Sequence, residues 1–155
     1  MNELSKWRAE VIERFINVEW LINAIICQYY LKKTFTNFLL EVLYDEYFSF
    51  ALKRRILEKI LSQIDNKNNK SKINQLNRIN TVRNYFAHYN QQFFEKGDDI
   101  GKVPDPRRIN RAIDFNPLYE EFMFTVGGVE RWLSEIFEAM GGALDEKRIN
   151  GDSDQ

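Results

Sequence analysis

KINQLNRINTVRNYFAHY, Lys72 to Tyr89, is the stretch on which the reading of this chain turns. Ile73, Leu76, Ile79, Val82 and Phe86 recur at steps of three and four, the spacing that collects apolar side chains on one face of an α-helix. Asn77, Thr81, Asn84 and His88 follow one another at steps of four, three and four, which draws an uncharged polar stripe along another face. The stretch therefore predicts a helix with a core side and a polar row that lies in water, in a hydrogen-bonded interface or in a site. It also carries the only histidine among 155 residues. An unperturbed imidazole changes charge between about pH 5 and 8, so His88 is the first candidate for moving a proton near neutrality. A lone histidine at a helix end is more often structural, and its neighbours Arg83 and Asn84 are what give it a chemical context.

Outward from this helix, the first 96 residues contain neither glycine nor proline, while every glycine and proline falls in the remainder. A chain without breakers over that length, patterned at three and four, is a set of helices. Leu4, Trp7, Val11, Phe15, Val18, Ile22, Ile25 and Tyr29 form one long stripe, widened by Ile12, Ile16, Trp20 and Ile26. Such a helix runs through the centre of a bundle or shares a face with another subunit. A second helix is expected from Thr34 or Thr36 through Phe38 to Tyr44, and a third over Phe50 to Ile64, where Leu52, Ile56, Ile60 and Ile64 step by four. Asp65 to Ser71 reads as a loop, and residues 90–114 as irregular. There, Phe93-Phe94 followed by Gly97-Asp98-Asp99-Ile100-Gly101 suits a small hairpin or ordered flap, and Pro104-Asp105-Pro106 forbids helix. The last helix is expected to start with Asn116 as cap and Pro117 in its first position, burying Leu118, Phe122, Val129, Trp132, Ile136 and Met140. Gly127-Gly128 within it weakens the helix or admits another backbone.

The expected fold class is thus all-α: an up-and-down bundle of about five helices with an irregular or hairpin insertion before the last. One domain over 1–140 accounts for the core, and 141–155 is a polar tail. The longest apolar region, Val18 to Leu31, is interrupted by Glu19, Asn23 and Gln28 and is too short to span a bilayer. With no secretory pattern at Met1–Lys6, the expectation is a cytoplasmic protein without a membrane partner. Cys27 stands alone and reads as a packing residue, and with one histidine there is no Cys/His cluster for structural zinc, so no metal site is expected.

The net charge is −1, which argues against a protein that coats nucleic acid indiscriminately, but the charges are uneven. Between Lys53 and Arg83 nine basic residues stand against Glu58 and Asp65 alone. That segment contains the histidine motif and would draw a polyanion such as RNA to its side of the fold, with Lys53, Arg54 and Arg78 as candidate phosphate contacts. The plainer reading of Lys53 to Lys59 is a solvated helix face.

Arg83-Asn84-x-x-Ala87-His88 near the end of the fourth helix of a long-helix chain resembles the HEPN superfamily, whose hallmark is an arginine, four to six residues, then a histidine, commonly with a polar residue after the arginine. The resemblance covers roughly residues 1–140. It implies a HEPN-like bundle, a homodimer in which two copies of this helix face each other across a cleft, and a metal-independent endoribonuclease with no cofactor, of the kind found as toxins and in phage defence. Some members are instead inactive binding or regulatory modules.

On these residues the implied chemistry is coherent. RNA cleaves when a 2′-OH attacks the adjacent phosphate, which needs a base, positive charge on the developing phosphorane and help for the leaving 5′-oxygen. His88 would act as base or acid, Arg83 would fork onto the phosphate, and Asn84 would orient the ring or touch the scissile group. Arg83 and His88 lie about 140° apart around a regular helix, so either the helix end distorts or they meet their counterparts across a two-fold axis. Where some relatives, paired with a nucleotidyltransferase antitoxin, carry an adenylylated tyrosine two residues past the histidine, this chain has Asn90. Tyr89 or Tyr85 is then the substitute acceptor, and an antitoxin of that kind is a partner implied by resemblance alone. The competing reading is a non-catalytic helical module that dimerises and binds a nucleotide, an RNA or a protein.

Overall fold

The computed structural model describes residues 3–32, 36–45, 47–64, 69–88, 102–104 and 112–142. Five α-helices dominate: α1 (Glu3–Leu31), α2 (Thr36–Phe38), α3 (Phe50–Gln63), α4 (Asn69–His88) and α5 (Phe115–Ala139). The all-α expectation holds. No helix among the described residues is long and apolar enough to cross a membrane. A short antiparallel ribbon, β1 (Lys102–Pro104) and β2 (Ala112–Asp114), precedes α5, with Val103 opposite Ile113. The sequence predicts a small insertion before the last helix, but the paired residues are 102–104 and 112–114 and not the stretch proposed for a hairpin. The Phe93-Phe94 and Gly97–Gly101 stretch assigned to it lies outside the described residues, as do Tyr89, Asn90 and the tail from 143.

Packing divides the chain into two compact units, Met1–Glu19 with Lys67–Glu130, and Trp20–Asn66 with Arg131–Gln155, and α1 and α5 supply residues to both. In the first unit α1 buries Leu4, Val11, Phe15 and Val18, α4 buries Leu76, Ile79, Val82 and Phe86, and α5 buries Phe115, Phe122, Val126 and Val129. The Phe86 and Phe115 rings meet edge to face at 4.8 Å. Trp7 stacks on Tyr119 at 5.1 Å, and the Tyr119 hydroxyl donates to Glu10 Oε2 at 2.6 Å. That hydrogen bond, with burial, pushes the phenol up to about 12.

In the second unit α1 buries the run Leu21–Cys27, Asn23 and the lone Cys27 included, and α5 buries Trp132, Leu133, Ile136 and Phe137. From α3 it is Lys53, Leu57, Ile60 and Leu61 that turn inward, while Leu52 and Ile64 are exposed. The buried face of α3 is therefore rotated from the Leu52–Ile64 row. Ser49 caps α3, its hydroxyl accepting from the Leu52 amide at 3.3 Å. After α2 the chain widens into a π turn, Leu39–Leu43, closed by the Tyr44 amide donating to the Leu39 carbonyl at 3.0 Å.

The helix ends differ from the sequence reading in two places. Asn69, Lys70 and Ser71, expected in a loop, form the first turn of α4. Asp114 rather than Asn116 caps α5, its Oδ1 accepting from the Asn116 amide at 3.1 Å, so Pro117 stands third in the helix, where its missing N–H is still harmless. At the other end Gly141 takes a φ of +83°, its amide donates to Glu138 and that of Gly142 to Phe137, a paired closure that satisfies two terminal carbonyls. α1 has no glycine near its end, so the left-handed residue that stops it is Lys32, at φ +53°.

Candidate functional site

The motif lies wholly in the first unit, on the last turns of α4, which stays α-helical to His88. Arg83 is half-buried. Its guanidinium carbon sits 4.5 Å from the centroid of the Phe15 ring on α1, and Nη2 donates to Asn80 Oδ1 one turn back at 3.1 Å. Nε is buried and meets no hydrogen-bonding partner among the described residues. Burial lowers the pKa of this guanidinium from its ordinary value, with Glu19 acting in the opposite direction. Asn84 is half-exposed and His88 is exposed in the last turn. Because the helix is regular, Arg83 and His88 leave it about 140° apart and do not converge within one chain.

Beside His88, the Ala87 carbonyl accepts from Arg8 Nη2 on α1 at 3.4 Å, which satisfies one of the end carbonyls of α4. A groove of about 620 Å³ opens here, lined by Arg8, Ala9, Ile12, Glu13, Ile16 and Ala87 among others. Ile16 is 52% exposed, a large apolar side chain left at the surface beside the motif.

The candidate phosphate contacts are dispersed. Lys53 belongs to the second unit and is only 2% exposed, its ammonium 5.1 Å from the centroid of the Tyr44 ring. This departs from the expectation of a surface contact, because an aromatic face has drawn the cation inward. Arg54 pairs along α3 with Glu58 at 3.4 Å. Arg78, in the first unit, forks onto Glu121 of α5 with Nε and Nη2 at 2.6 and 2.7 Å from the two carboxylate oxygens. That hydrogen bonding holds Arg78 above its ordinary value and Glu121 below the usual carboxylate range. A second groove, also about 620 Å³, runs past this pair.

Phe15, Asn80 and Arg8 are the site residues that motif reasoning missed. Asn80 is legible at three residues before Arg83, within reach on a helix. Phe15 and Arg8 carry no such signal, because only the packing of α1 against α4 brings them to the motif. The glycine pair of α5 admits side chains and not a backbone: Arg14 lies by Gly127 on its way to Glu130 at 2.6 Å, and Lys72 donates to the Gly128 carbonyl at 3.4 Å. No protein-family model, curated protein or solved structure matches this chain.

Proposed function

We propose that this chain is a HEPN-type, metal-independent endoribonuclease acting as a homodimer, with Arg83, Asn84 and His88 at a composite site. The observation that carries the reading is the motif itself on an undistorted helix end, with an exposed imidazole and an arginine facing the other way. A second copy across a two-fold axis supplies the missing convergence, and the exposed Ile16 beside the motif is the apolar surface such a copy would cover. In the reaction His88 accepts the proton of the substrate 2′-hydroxyl as the 2′-oxygen bonds to phosphorus, the bond from phosphorus to the 5′-oxygen breaks, and solvent water supplies the proton that the leaving oxygen takes up. Arg83 stabilises the phosphorane charge and Asn84 positions the reacting groups. A toxin or phage-defence role follows from the resemblance alone.

The test is cleavage of mixed transfer and messenger RNA in excess EDTA. Wild type should leave 2′,3′-cyclic phosphate ends, and His88→Ala and Arg83→Ala should each abolish cleavage while folding normally. Cleavage that survives both substitutions rules the mechanism out. The placement of Arg83 over Phe15 favours a second reading, a non-catalytic module in which Arg83 shapes a binding surface. There the same variants weaken binding of RNA, nucleotide or protein, and no cleavage is seen from any of them.

A further inference from the structure

Among the described residues, those that line the groove past Arg78 carry polar or charged side chains: Lys70, Asn74, Gln75 and Arg78 of α4 and Glu121 of α5 are the ones the argument uses. Their alkyl stems make up much of the wall, and their heads place cations, amides and a carboxylate along it, a set that recognises a charged, hydrogen-bonding ligand. The cations of this groove belong to the basic segment Lys53–Arg83. On a regular helix Lys70, Asn74, Arg78, Thr81, Tyr85 and His88 fall within an arc of about 80°, so the groove and the histidine share one face of α4. All six are exposed or half-exposed. From Lys70 to His88 this face runs about 27 Å, with an aromatic ring, Tyr85, between the cations and the imidazole. Arg78 presents a planar fork, and a carboxylate already occupies it in the two-point geometry that a phosphate takes.

We propose that the outer face of α4 is a track for single-stranded RNA leading to His88, gripped at the Lys70–Arg78 groove, where Glu121 occupies the phosphate position until the strand displaces it. The inference rests on the ribonuclease reading for the identity of the strand. The positive side chains grip the phosphates, Asn74 and Gln75 hydrogen-bond the strand without demanding a sequence, and Tyr85 offers a face to a base. Glu121 makes the grip selective, because a ligand must supply enough contacts to replace an ion pair already made.

The test follows the anisotropy of a fluorescein-labelled oligoribonucleotide of about 12 nucleotides, titrated with wild type, Lys70→Ala, Arg78→Ala and Glu121→Gln over a salt series. Lys70→Ala and Arg78→Ala should each weaken binding about five- to tenfold and reduce the salt slope by about 0.7, whereas Glu121→Gln should tighten binding about threefold. Lys70 is exposed, so its variant reports on binding even if loss of the Arg78–Glu121 pair disturbs α5. Equal affinities in all four proteins, or no RNA binding by wild type, overturn the track. Cleavage in EDTA is scored alongside: unchanged affinities with cleavage intact remove the track and leave the nuclease, while affinities that follow Lys70 and Arg78 without cleavage keep the track and remove the nuclease.

Discussion

The Arg83 guanidinium carbon lies 4.5 Å from the centroid of the Phe15 ring, so the direction of the arginine is set by its own chain. A planar cation laid on an aromatic face while Nη2 donates to Asn80 and other N–H groups stay available for a phosphate is a geometry that lysine does not reproduce. Arg83→Lys should therefore lose at least about tenfold in single-turnover cleavage although the charge is retained. Phe15→Leu, which keeps the site apolar but removes the ring, should lower the same rate with Arg83 intact. Thermal unfolding run beside the kinetics separates this from global destabilisation, and an Arg83→Lys enzyme as fast as wild type would show that the fork is not used.

The divergence of Arg83 and His88 on a regular helix gives a complementation test. In a composite site, a heterodimer of Arg83→Ala and His88→Ala subunits keeps one complete pair, an arginine from one chain facing a histidine from the other. Equal mixing of the two inactive proteins, after unfolding and refolding together, should restore about one quarter of wild-type cleavage. A site contained within one chain would restore none.

Two carboxylates of the first unit act on stability with opposite signs. Burial raises the Glu130 carboxyl, while the Arg14 guanidinium at 2.6 Å acts in the other direction. The folded state then holds that proton more tightly than the unfolded one, and the contribution is complete below the ordinary glutamate pKa and is lost as pH rises through the elevated folded value. Glu121 is lowered by its hydrogen bonds from Arg78, so its contribution is present above the ordinary value and is lost as pH falls through the depressed one. Denaturation midpoints measured across the carboxylate range should show that Glu130→Gln flattens the fall on the alkaline side and Glu121→Gln the fall on the acid side. Identical profiles for the three proteins would contradict both assignments.

A glycine within α5 and one just past its end should respond oppositely to alanine. A Cβ on Gly127 would rest 3.8 Å from Arg14 Nη2, an ordinary contact, so Gly127→Ala gains helix propensity and should stabilise by about 1 kcal/mol. A Cβ on Gly142 would fall well inside contact distance of the buried Phe137 ring, so Gly142→Ala should destabilise by about 1 kcal/mol or more. Chemical denaturation with an unchanged m-value distinguishes the two.

The long helices are legible because their apolar spacing runs unbroken and no glycine or proline interrupts the first 96 residues. The start of α4 is hidden by composition, since Asn69 and Ser71, which favour turns and caps, flank Lys70 there and are held helical in context. The cap of α5 falls two residues from its expected place because Asp114 and Asn116 are both competent caps, and the strand β2 fixes which is used. Lys53 shows a signal masked by charge. With Leu57, Ile60 and Leu61 it keeps core spacing at four and seven, but a cation reads as a surface residue. The motif Arg83, Asn84 and His88 is visible as a string, whereas Phe15 under Arg83 and Glu121 across Arg78 arise only when distant helices pack.

The π turn at Leu39–Leu43 fits one more residue into a turn than an α-helix does, with Leu39 and Leu43 buried and Leu40, Glu41 and Val42 facing out. Removing one of the three outward residues would bring the two leucines from a spacing of four to three, and both spacings share a helix face. The extra residue is therefore one that the buried pair does not need, which makes this turn a natural point for a one-residue deletion, whereas an insertion would carry the leucines to a spacing of five and off a common face.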